Sequence, residues 1–355
     1  MKRIYFAPLL ILTFSLVSCK QEIKETLQQY SRVEGQTMGT TYHIVYDAPA
    51  SLKDEIDSLL VKFNNSVSTY IPTSTISKSN KSATSYCYPR TEDQFFIESL
   101  SRALEIAKET DGYFDPTVMP LVNYWGFGYG ERKQVQQPDQ NVLDSLKSLV
   151  NYKGIGILGK NDSICIFKER PGMQIDLSAS AKGHGVDVVA SMLASLGIEN
   201  YMVEIGGEIV TSGVNEKGDA WVIGINKPTM GAGLDEVQLP VNLSEKAMAT
   251  SGNYRNFYES GEIVYAHIVN PKTGLSYPSD ILSASVIAND CLTADAYATA
   301  CMVLGLEKSI KLIQAHPDLD ACFIFANEDK SDFKYYLTEG FKQRIDSTIV
   351  ENLFK

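Results

Sequence analysis

Residues 283–305, SASVIANDCLTADAYATACMVLG, contain a predicted strand followed by a predicted helix. The helix begins near Thr293, and Gly305 ends it. Asp295 and Thr299 stand four residues apart in this helix, so their side chains project from the same face near its N-terminus. The residues around them are small. The segment therefore presents a carboxylate and a hydroxyl side by side with space around them.

Two interpretations of this pair stay open on the residues alone. Carboxylate and hydroxyl oxygens are hard ligands, and they suit Mg²⁺, which keeps few protein ligands and takes the others from water and substrate phosphates. Alternatively, Asp295 caps the helix or complements its dipole, and Thr299 bonds its own backbone.

Hydrophobic periodicity predicts further elements on both sides of this segment. The predicted strands are residues 40–46, 201–205, 221–225, 266–269 and 283–288. One predicted helix opens at Ser51 and buries Ile56, Leu59, Leu60, Phe63 and Val67. A second follows a capping box of Thr91 and Gln94, buries Phe96, Leu100, Leu104 and Ala107, and stops at Gly112. A third buries Val186, Val189, Leu193 and Leu196 and stops at Gly197, and another begins near Glu307. Helices and strands that do not strictly alternate favour an α+β fold in one large globular unit.

Length, composition and charge exclude several classes of protein. The chain has 355 residues, of which 44% are hydrophobic and 21% charged, and these are ordinary globular values. Its net charge of −11 and its lack of long basic runs argue against nucleic-acid binding. An anionic ligand would therefore need a local source of positive potential, such as a metal ion, a helix N-terminus or a few basic side chains.

The N-terminus has the pattern of an export signal. Lys2 and Arg3 precede an uncharged stretch over residues 4–18, and Leu-Val-Ser-Cys19 looks like a bacterial lipobox. We expect residues 1–18 to be a signal peptide, Cys19 to carry lipid including palmitate, and residues 19–33 to be a tether. Residues 34–345 would then form the globular domain, exported and anchored to the cell membrane or outer membrane, facing the periplasm.

Five cysteines follow Cys19, and they form neither a Cys-x-x-Cys pair nor a Cys/His cluster. This spacing argues against zinc binding and against a redox pair. An exported location permits a disulfide, which the sequence does not assign.

A second segment that could form part of a functional site is residues 174–187, QIDLSASAKGHGVD. In it a short apolar strand meets a small-residue turn and then a helix. Backbone amides at such a turn can hold an anion, Lys182 adds a positive charge, and a free carbonyl can join a metal. A glycine turn packed closely for steric reasons is the alternative. His267, one of four histidines, precedes a Pro/Gly turn and is the natural general base near neutral pH, although a structural histidine has the same appearance.

Several motifs occur in a fixed order along the chain. They are MGTTY at 38–42, STY at 68–70, FDPT at 114–117 with WGFG at 125–128, DLS at 176–178, GG at 206–207, TSGNYR at 250–255, HIVNPKTG at 267–274 and TADAYAT at 293–299. Together they resemble the ApbE family, the FAD:protein FMN transferases, over roughly residues 34–340.

The resemblance implies a mixed fold with a T-fold-like core and a bound FAD whose pyrophosphate is bridged by Mg²⁺. The metal ligands would be the side chains of Asp295 and Thr299 and the carbonyl of Ala179. The residues implied to line FAD are Met38, Tyr70, Tyr113, Phe114, Asp115, Asp176, Lys182 and Val269. The chain departs from the family's pattern at Lys182, where other members can have a carboxylate, so the partner of Lys182 is open.

The resemblance also implies a reaction, namely transfer of FMN from FAD to a Thr or Ser hydroxyl of an exported flavoprotein, with release of AMP. The customary acceptors of the family belong to electron-transfer complexes such as sodium-translocating NADH:quinone reductase or the Rnf type. We expect His267 to take the hydroxyl proton. Two rivals remain: a Mg²⁺-dependent FAD pyrophosphatase that forms FMN and AMP, and a flavin-binding or solute-binding lipoprotein without catalysis. A purely structural lipoprotein would bind no flavin.

Overall fold

An antiparallel eight-stranded sheet forms the centre of the molecule, in the strand order β1-β2-β6-β7-β10-β13-β14-β15. The computed structural model describes residues 29–129, 135, 137–160, 162–228, 237–252, 257–260, 263–266, 268–276, 279–326 and 332–354. The strands are β1 Tyr30–Thr37, β2 Thr40–Asp47, β3 Ser85–Pro89, β4 Ile155–Lys160, β5 Ser163–Lys168, β6 Tyr201–Ile205, β7 Glu208–Ser212, β8 Trp221–Asn226, β9 Val237–Leu243, β10 Lys246–Gly252, β11 Phe257–Ser260, β12 Ile263–Ala266, β13 Ile281–Ala288, β14 Asp320–Ala326 and β15 Phe333–Leu337. The helices are α1 Lys53–Val67, α2 Thr75–Lys81, α3 Phe95–Glu109, α4 Met119–Tyr124, α5 Gln140–Lys147, α6 Ala181–Ser195, α7 Cys291–Leu304, α8 Leu306–Gln314, α9 Glu339–Lys342 and α10 Ser347–Leu353.

The central sheet is buried on both faces, and alternate residues of β13 show this. Ala284 and Val286 point into the core that contains α3 and α7, whereas Ile287 points into a separate core with the β8–β9 hairpin and α9. A smaller sheet, in the order β3-β5-β4, packs Ile164 and Ile166 against the α3 side. The mixed α+β unit predicted from the sequence is confirmed.

Most predicted elements are present, with four local corrections. Helix α1 begins at Lys53, and the Ser51 hydroxyl makes only a long 3.4 Å contact with the Lys53 amide. The predicted capping box of Thr91 and Gln94 is wrong, because the Asp93 carboxylate accepts the Phe96 amide at 3.2 Å.

The other two corrections concern the ends of elements. Helix α6 ends at Ser195, so Leu196 lies beyond it and is 56% exposed rather than buried. The strand expected at 266–269 is wrong over residues 268–269, since β12 ends at Ala266.

The globular unit extends further in both directions than the sequence predicts. Strand β1 starts at Tyr30, so the last four residues of the predicted tether belong to the sheet edge. Helix α10 lies after residue 345 and packs Ile349, Val350 and Leu353 against the core beneath the β8–β9 hairpin. The signal segment and Cys19 lie outside the described residues. Within the described ranges, every helix is too short or too polar to cross a bilayer.

The cysteines divide into a disulfide and buried thiols. Cys87 on β3 and Cys165 on β5 face each other in the strand register and are joined by a disulfide. Cys291, Cys301 and Cys322 are free and buried. Their packing agrees with the absence of zinc-type spacing in the sequence.

Candidate active site

The N-terminal turn of α6 touches the first turns of α7, and a glycine makes this contact possible. A Cβ atom added to Gly183 would lie 2.2 Å from the carbonyl oxygen of Cys291 and 2.9 Å from the Cβ of Asp295. The Gly183 amide donates a 3.1 Å hydrogen bond to Oδ2 of Asp295, across 112 residues of sequence. The glycine turn is therefore packed closely, and its amide is directed at the predicted metal-binding carboxylate.

Asp295 is not the helix cap that one interpretation of the sequence allowed. Asp290 holds that position and accepts the Thr293 amide at 2.8 Å. Asp295 lies further along and is 3% exposed, and Thr299, one turn on, lies 3.2 Å from Oγ of Ser251 on β10. Burial raises the pKa of Asp295, while the charge of Lys182 and the Gly183 amide act in the opposite direction.

Lys182 has a partner that sequence reasoning missed. The tight turn between β6 and β7 uses Gly206 and Gly207, both with positive φ, and it delivers Glu208 to the helix face. The Lys182 Nζ lies 2.5 Å from Oε1 of Glu208, which is 2% exposed. Burial alone would lower the pKa of Lys182, but the charges of Glu208 and Asp295 raise it.

Glu208 is buried, and the Lys182 ammonium is the main group that compensates its charge. Burial raises the pKa of Glu208, and the Lys182 ammonium opposes this shift. Its second oxygen, Oε2, has no hydrogen-bond partner among the described residues. The signal that could have found Glu208 is an acidic residue directly after a Gly-Gly turn at the end of an apolar strand.

Asp187 is a second carboxylate with a role that the sequence did not assign. From α6 it accepts the backbone amides of Cys291 and Leu292, both at 2.8 Å. These amides belong to the first turn of α7, where a carboxylate also interacts favourably with the helix dipole. Asp187 therefore fastens α6 to the N-terminus of α7 and fixes the position of Asp295 relative to the turn before α6.

The donor set that the family resemblance implies would suit Mg²⁺. It consists of the Asp295 carboxylate, the Thr299 hydroxyl one turn further along α7, and the carbonyl of Ala179, which directly precedes the α6 N-cap Ser180. The described hydrogen bonds to Asp295 use Oδ2 only, so Oδ1 is left for a ligand. Within the described ranges no group of three or more His, Cys, Asp or Glu residues could hold a metal. A site with one carboxylate suits an ion that completes its shell with water and phosphate oxygens.

Met38, a residue predicted to line FAD, lies beside this contact. It occupies the β1–β2 turn with φ of 50°. Its side chain contacts α6, because a Cβ on Gly185 would lie 2.5 Å from the Met38 Cε. The structure therefore brings Met38, Lys182 and Asp295 to the same end of α6.

Two carboxylates that are predicted to line FAD hold turns together. Asp115 accepts the Thr117 amide at 2.8 Å, the Thr117 hydroxyl at 2.6 Å and the Tyr152 amide at 3.1 Å. Asp176 accepts the Ser178 amide at 2.9 Å, and its own amide donates to the Pro116 carbonyl at 2.7 Å. Burial raises the pKa of both carboxyl groups. They shape the chain on either side of the site and bind the two segments to each other.

The remaining predicted residues differ in exposure. Phe114 and Val269 are buried in separate cores, so their side chains contribute packing. Tyr70 is 66% exposed and its hydroxyl donates to the Phe127 carbonyl at 3.5 Å. Tyr113 carries the ammonium groups of two lysines over its ring, at 5.7 Å for Lys272 and 5.1 Å for Lys308. His267, the predicted base, lies outside the described residues.

Comparison with known proteins shows which family the chain resembles. The sequence profile of the ApbE family matches residues 38–323. The FAD:protein FMN transferase of Vibrio cholerae is 37% identical over 87% of this chain and 91% of its own length, and that of Escherichia coli K12 is 32% identical over 94% and 95%. The structure of the flavin transferase ApbE from Vibrio cholerae superposes with a TM-score of 0.78 at 35% identity, covering 89% of this chain and 99% of that one. The apo flavinyl transferase ApbE of Pseudomonas stutzeri gives 0.78 at 29% identity, covering 89% and 97%.

Proposed function

The chain belongs to the ApbE family, and we propose that it transfers FMN from FAD to a Thr or Ser hydroxyl of an acceptor protein in a Mg²⁺-dependent reaction that releases AMP. Transfer of a flavin from FAD to a protein is the activity of the relatives that it matches over most of its length, and it is the activity of this chain. The hydroxyl acceptor, the metal and the residue roles are the proposed part. The observation that carries them is the contact of Asp295, Gly183 and Lys182 where α6 meets α7.

The chemistry requires charge neutralisation on the two phosphates. A Mg²⁺ ion held by Asp295, Thr299 and the Ala179 carbonyl would supply Lewis acidity and fix the phosphate oxygens in place. Burial raises the pKa of Asp295, and the Lys182 charge and the Gly183 amide oppose that rise; a bound Mg²⁺ would stabilise the ionised carboxylate further. Lys182, held by Glu208, places a permanent positive charge next to the same carboxylate. The glycine turn excludes a side chain that would separate the two helices.

The bond changes follow from the proposed acceptor. The hydroxyl oxygen attacks the phosphorus on the FMN side, a new P–O bond forms, the pyrophosphate P–O bond breaks, and AMP leaves. The hydroxyl proton must go to a base. His267 is the residue we propose for it, since an unperturbed imidazole accepts protons near neutral pH, and such catalysis contributes about 10²- to 10⁴-fold.

The direct test combines the purified chain, FAD, Mg²⁺ and a candidate exported acceptor domain, and measures the intact acceptor by mass spectrometry. An FMN mass increment on the acceptor, lost with chelator, is the expected result. Free FMN and AMP without an increment would show hydrolysis instead, and FAD binding indifferent to Mg²⁺ with no product would show a binding protein. Asp295→Asn should abolish the increment, while Glu307→Gln, at an exposed carboxylate on α8, should not change it.

We also propose that Cys19 is lipidated and that the enzyme acts on the outer side of a membrane, on acceptors of exported electron-transfer complexes. The lipobox-like sequence supports this, and so does the Cys87–Cys165 disulfide, because disulfides persist in oxidising compartments. Cys19→Ala should move the protein from the membrane fraction to the soluble fraction after cell breakage. Unchanged membrane association would contradict the anchor.

A further inference from the structure

Helix α7 carries two polar faces, and the proposed metal ligands use only one of them. At 100° per residue, Thr293 and Tyr297 each lie roughly 160° around the helix from Asp295. Tyr297 is buried, and Thr293 belongs to the first turn of α7. These two hydroxyls therefore point away from the metal site, toward α3.

A continuous set of hydrogen bonds joins this rear face to α3. Arg102 Nε donates to the Thr293 hydroxyl oxygen at 3.2 Å, and that hydroxyl donates to Asp290 Oδ2 at 2.9 Å. Arg102 Nη1 also lies 3.2 Å from Oε1 of Glu109, whose Oε2 accepts the Tyr297 hydroxyl at 2.7 Å. Arg102 thus reaches α7 at two points, one turn apart, directly through Thr293 and through Glu109 to Tyr297.

Packing alone does not hold this side of the helix. A cavity of about 210 Å³ opens behind α7, and its lining includes Arg102, Glu109, Asp290, Thr293, Tyr297 and His316. Elsewhere α7 buries several alanines, among them Ala294, Ala296 and Ala298, beside larger residues. Small side chains interdigitate little, so they resist rotation of a helix weakly. The hydrogen bonds from α3 are therefore directional restraints on the rear face of α7, in addition to those that Asp187 and Gly183 of α6 make on its other side.

Rotation of α7 matters for a Mg²⁺ site. A side-chain tip lies roughly 5–6 Å from a helix axis, so a turn of about 10° moves it by about 1 Å. Mg²⁺ requires near-ideal octahedral geometry with oxygens at about 2.0–2.1 Å. A shift of that size would misplace Asp295 and Thr299 together, because both lie on the same face.

We propose that Arg102 is a positioning residue: through Thr293 and through the Glu109–Tyr297 pair it fixes the rotation of α7 and so the placement of Asp295 and Thr299 for the divalent cation. The inference rests on the proposed function. Arg102 touches neither metal nor substrate in this role. A lysine is a poor replacement, because its single ammonium nitrogen lacks the planar fork in which Nε reaches Thr293 while Nη1 reaches Glu109.

The test measures metal affinity directly, with Mn²⁺ as the probe and the free Mn²⁺ electron paramagnetic resonance signal as the readout, on the full chain. Arg102→Lys should raise the Mn²⁺ Kd about tenfold, as is typical when a residue that orients a metal ligand is lost. Tyr297→Phe, which keeps the ring and removes only the hydroxyl, should also raise the Mn²⁺ Kd. Both residues act through the rotation of α7, so the Mn²⁺ Kd of the double variant should rise by less than the product of the two single fold-changes.

Glu105→Gln is the matched control. Glu105 binds the same guanidinium at 3.0 Å, and no hydrogen bond from it to α7 is among those of the described residues, so its loss should leave the Mn²⁺ Kd unchanged. The rate of FMN transfer by Arg102→Lys should recover at saturating Mg²⁺. Mn²⁺ affinities within twofold of wild type for both Arg102→Lys and Tyr297→Phe would overturn the inference, as would a transfer defect that Mg²⁺ does not rescue. Failure of the wild-type chain to bind Mn²⁺ would instead overturn the proposed metal site itself.

Discussion

Gly183→Ala tests the helix contact on which the site depends. The added methyl would lie 2.2 Å from the Cys291 carbonyl oxygen, where ordinary contact begins at 3.4 Å, so α6 and α7 must separate by about 1.2 Å. The two nearest colliding atoms are the carbonyl oxygen and carbon of Cys291, which are backbone atoms of α7 and cannot rotate away as a side chain would. The same shift would stretch the Gly183–Asp295 hydrogen bond beyond useful length.

The expected cost comes from opposing contributions. Overpacking costs about 1–3 kcal/mol, and loss of a hydrogen bond to a charged group about 1.5–3 kcal/mol. Alanine improves helix propensity by about 1 kcal/mol, which partly offsets both. We therefore expect Gly183→Ala to lower the free energy of unfolding by about 3 kcal/mol, together with weaker Mn²⁺ binding.

Urea unfolding followed by circular dichroism, at constant pH and salt, would measure the change. Two glycines provide graded controls. Alanine at Gly156 on β4 would meet its nearest atom at 3.6 Å and should be neutral or slightly stabilising. Alanine at Gly185 meets the flexible end of Met38, so it should cost less than Gly183→Ala. If Gly183→Ala unfolds with the same free energy as Gly156→Ala, the reasoning about this contact is wrong.

Three further predictions concern stability. Replacing both Cys87 and Cys165 by Ser should lower the free energy of unfolding by about 4 kcal/mol, because the disulfide closes a loop of 78 residues, and a reductant should reproduce this in wild type. Lys168→Met should cost about 2 kcal/mol in urea unfolding, since the buried ammonium donates to three carbonyls at the end of α2; equal stability would show that water replaces it. Burial lowers the pKa of His184 to about 4, so the unfolded chain takes up a proton between pH 6.5 and 4 that the folded chain resists. The free energy of unfolding should therefore fall by up to about 3 kcal/mol as the pH drops over this range, and His184→Gln should remove this pH dependence.

The sequence predicted the parts of the site that depend on neighbouring residues. Asp295 and Thr299 share a helix face because helical periodicity places residues four apart together, and α7 has the predicted form. The Gly-Gly turn after β6 was likewise visible as a turn. Such features need only local information.

The contacts that make the site were not predictable in the same way. Gly183 meets Asp295 across 112 residues, and Lys182 finds Glu208 only because a hairpin folds onto α6. No periodicity in the sequence encodes these pairs. Local prediction also failed where neighbouring polar side chains compete for the same backbone amide. The Asp93 carboxylate, rather than the Thr91 hydroxyl, caps α3.

The three buried thiols can report local opening of the folded chain. Cys291 opens α7 at the contact with Gly183, Cys301 lies in the last turn of the same helix, and Cys322 lies on β14. An alkylating reagent cannot reach any of them in the closed fold. The order in which they become modified would therefore distinguish a local parting of the two helices, which exposes Cys291 first, from a collective event that releases the sheet as well.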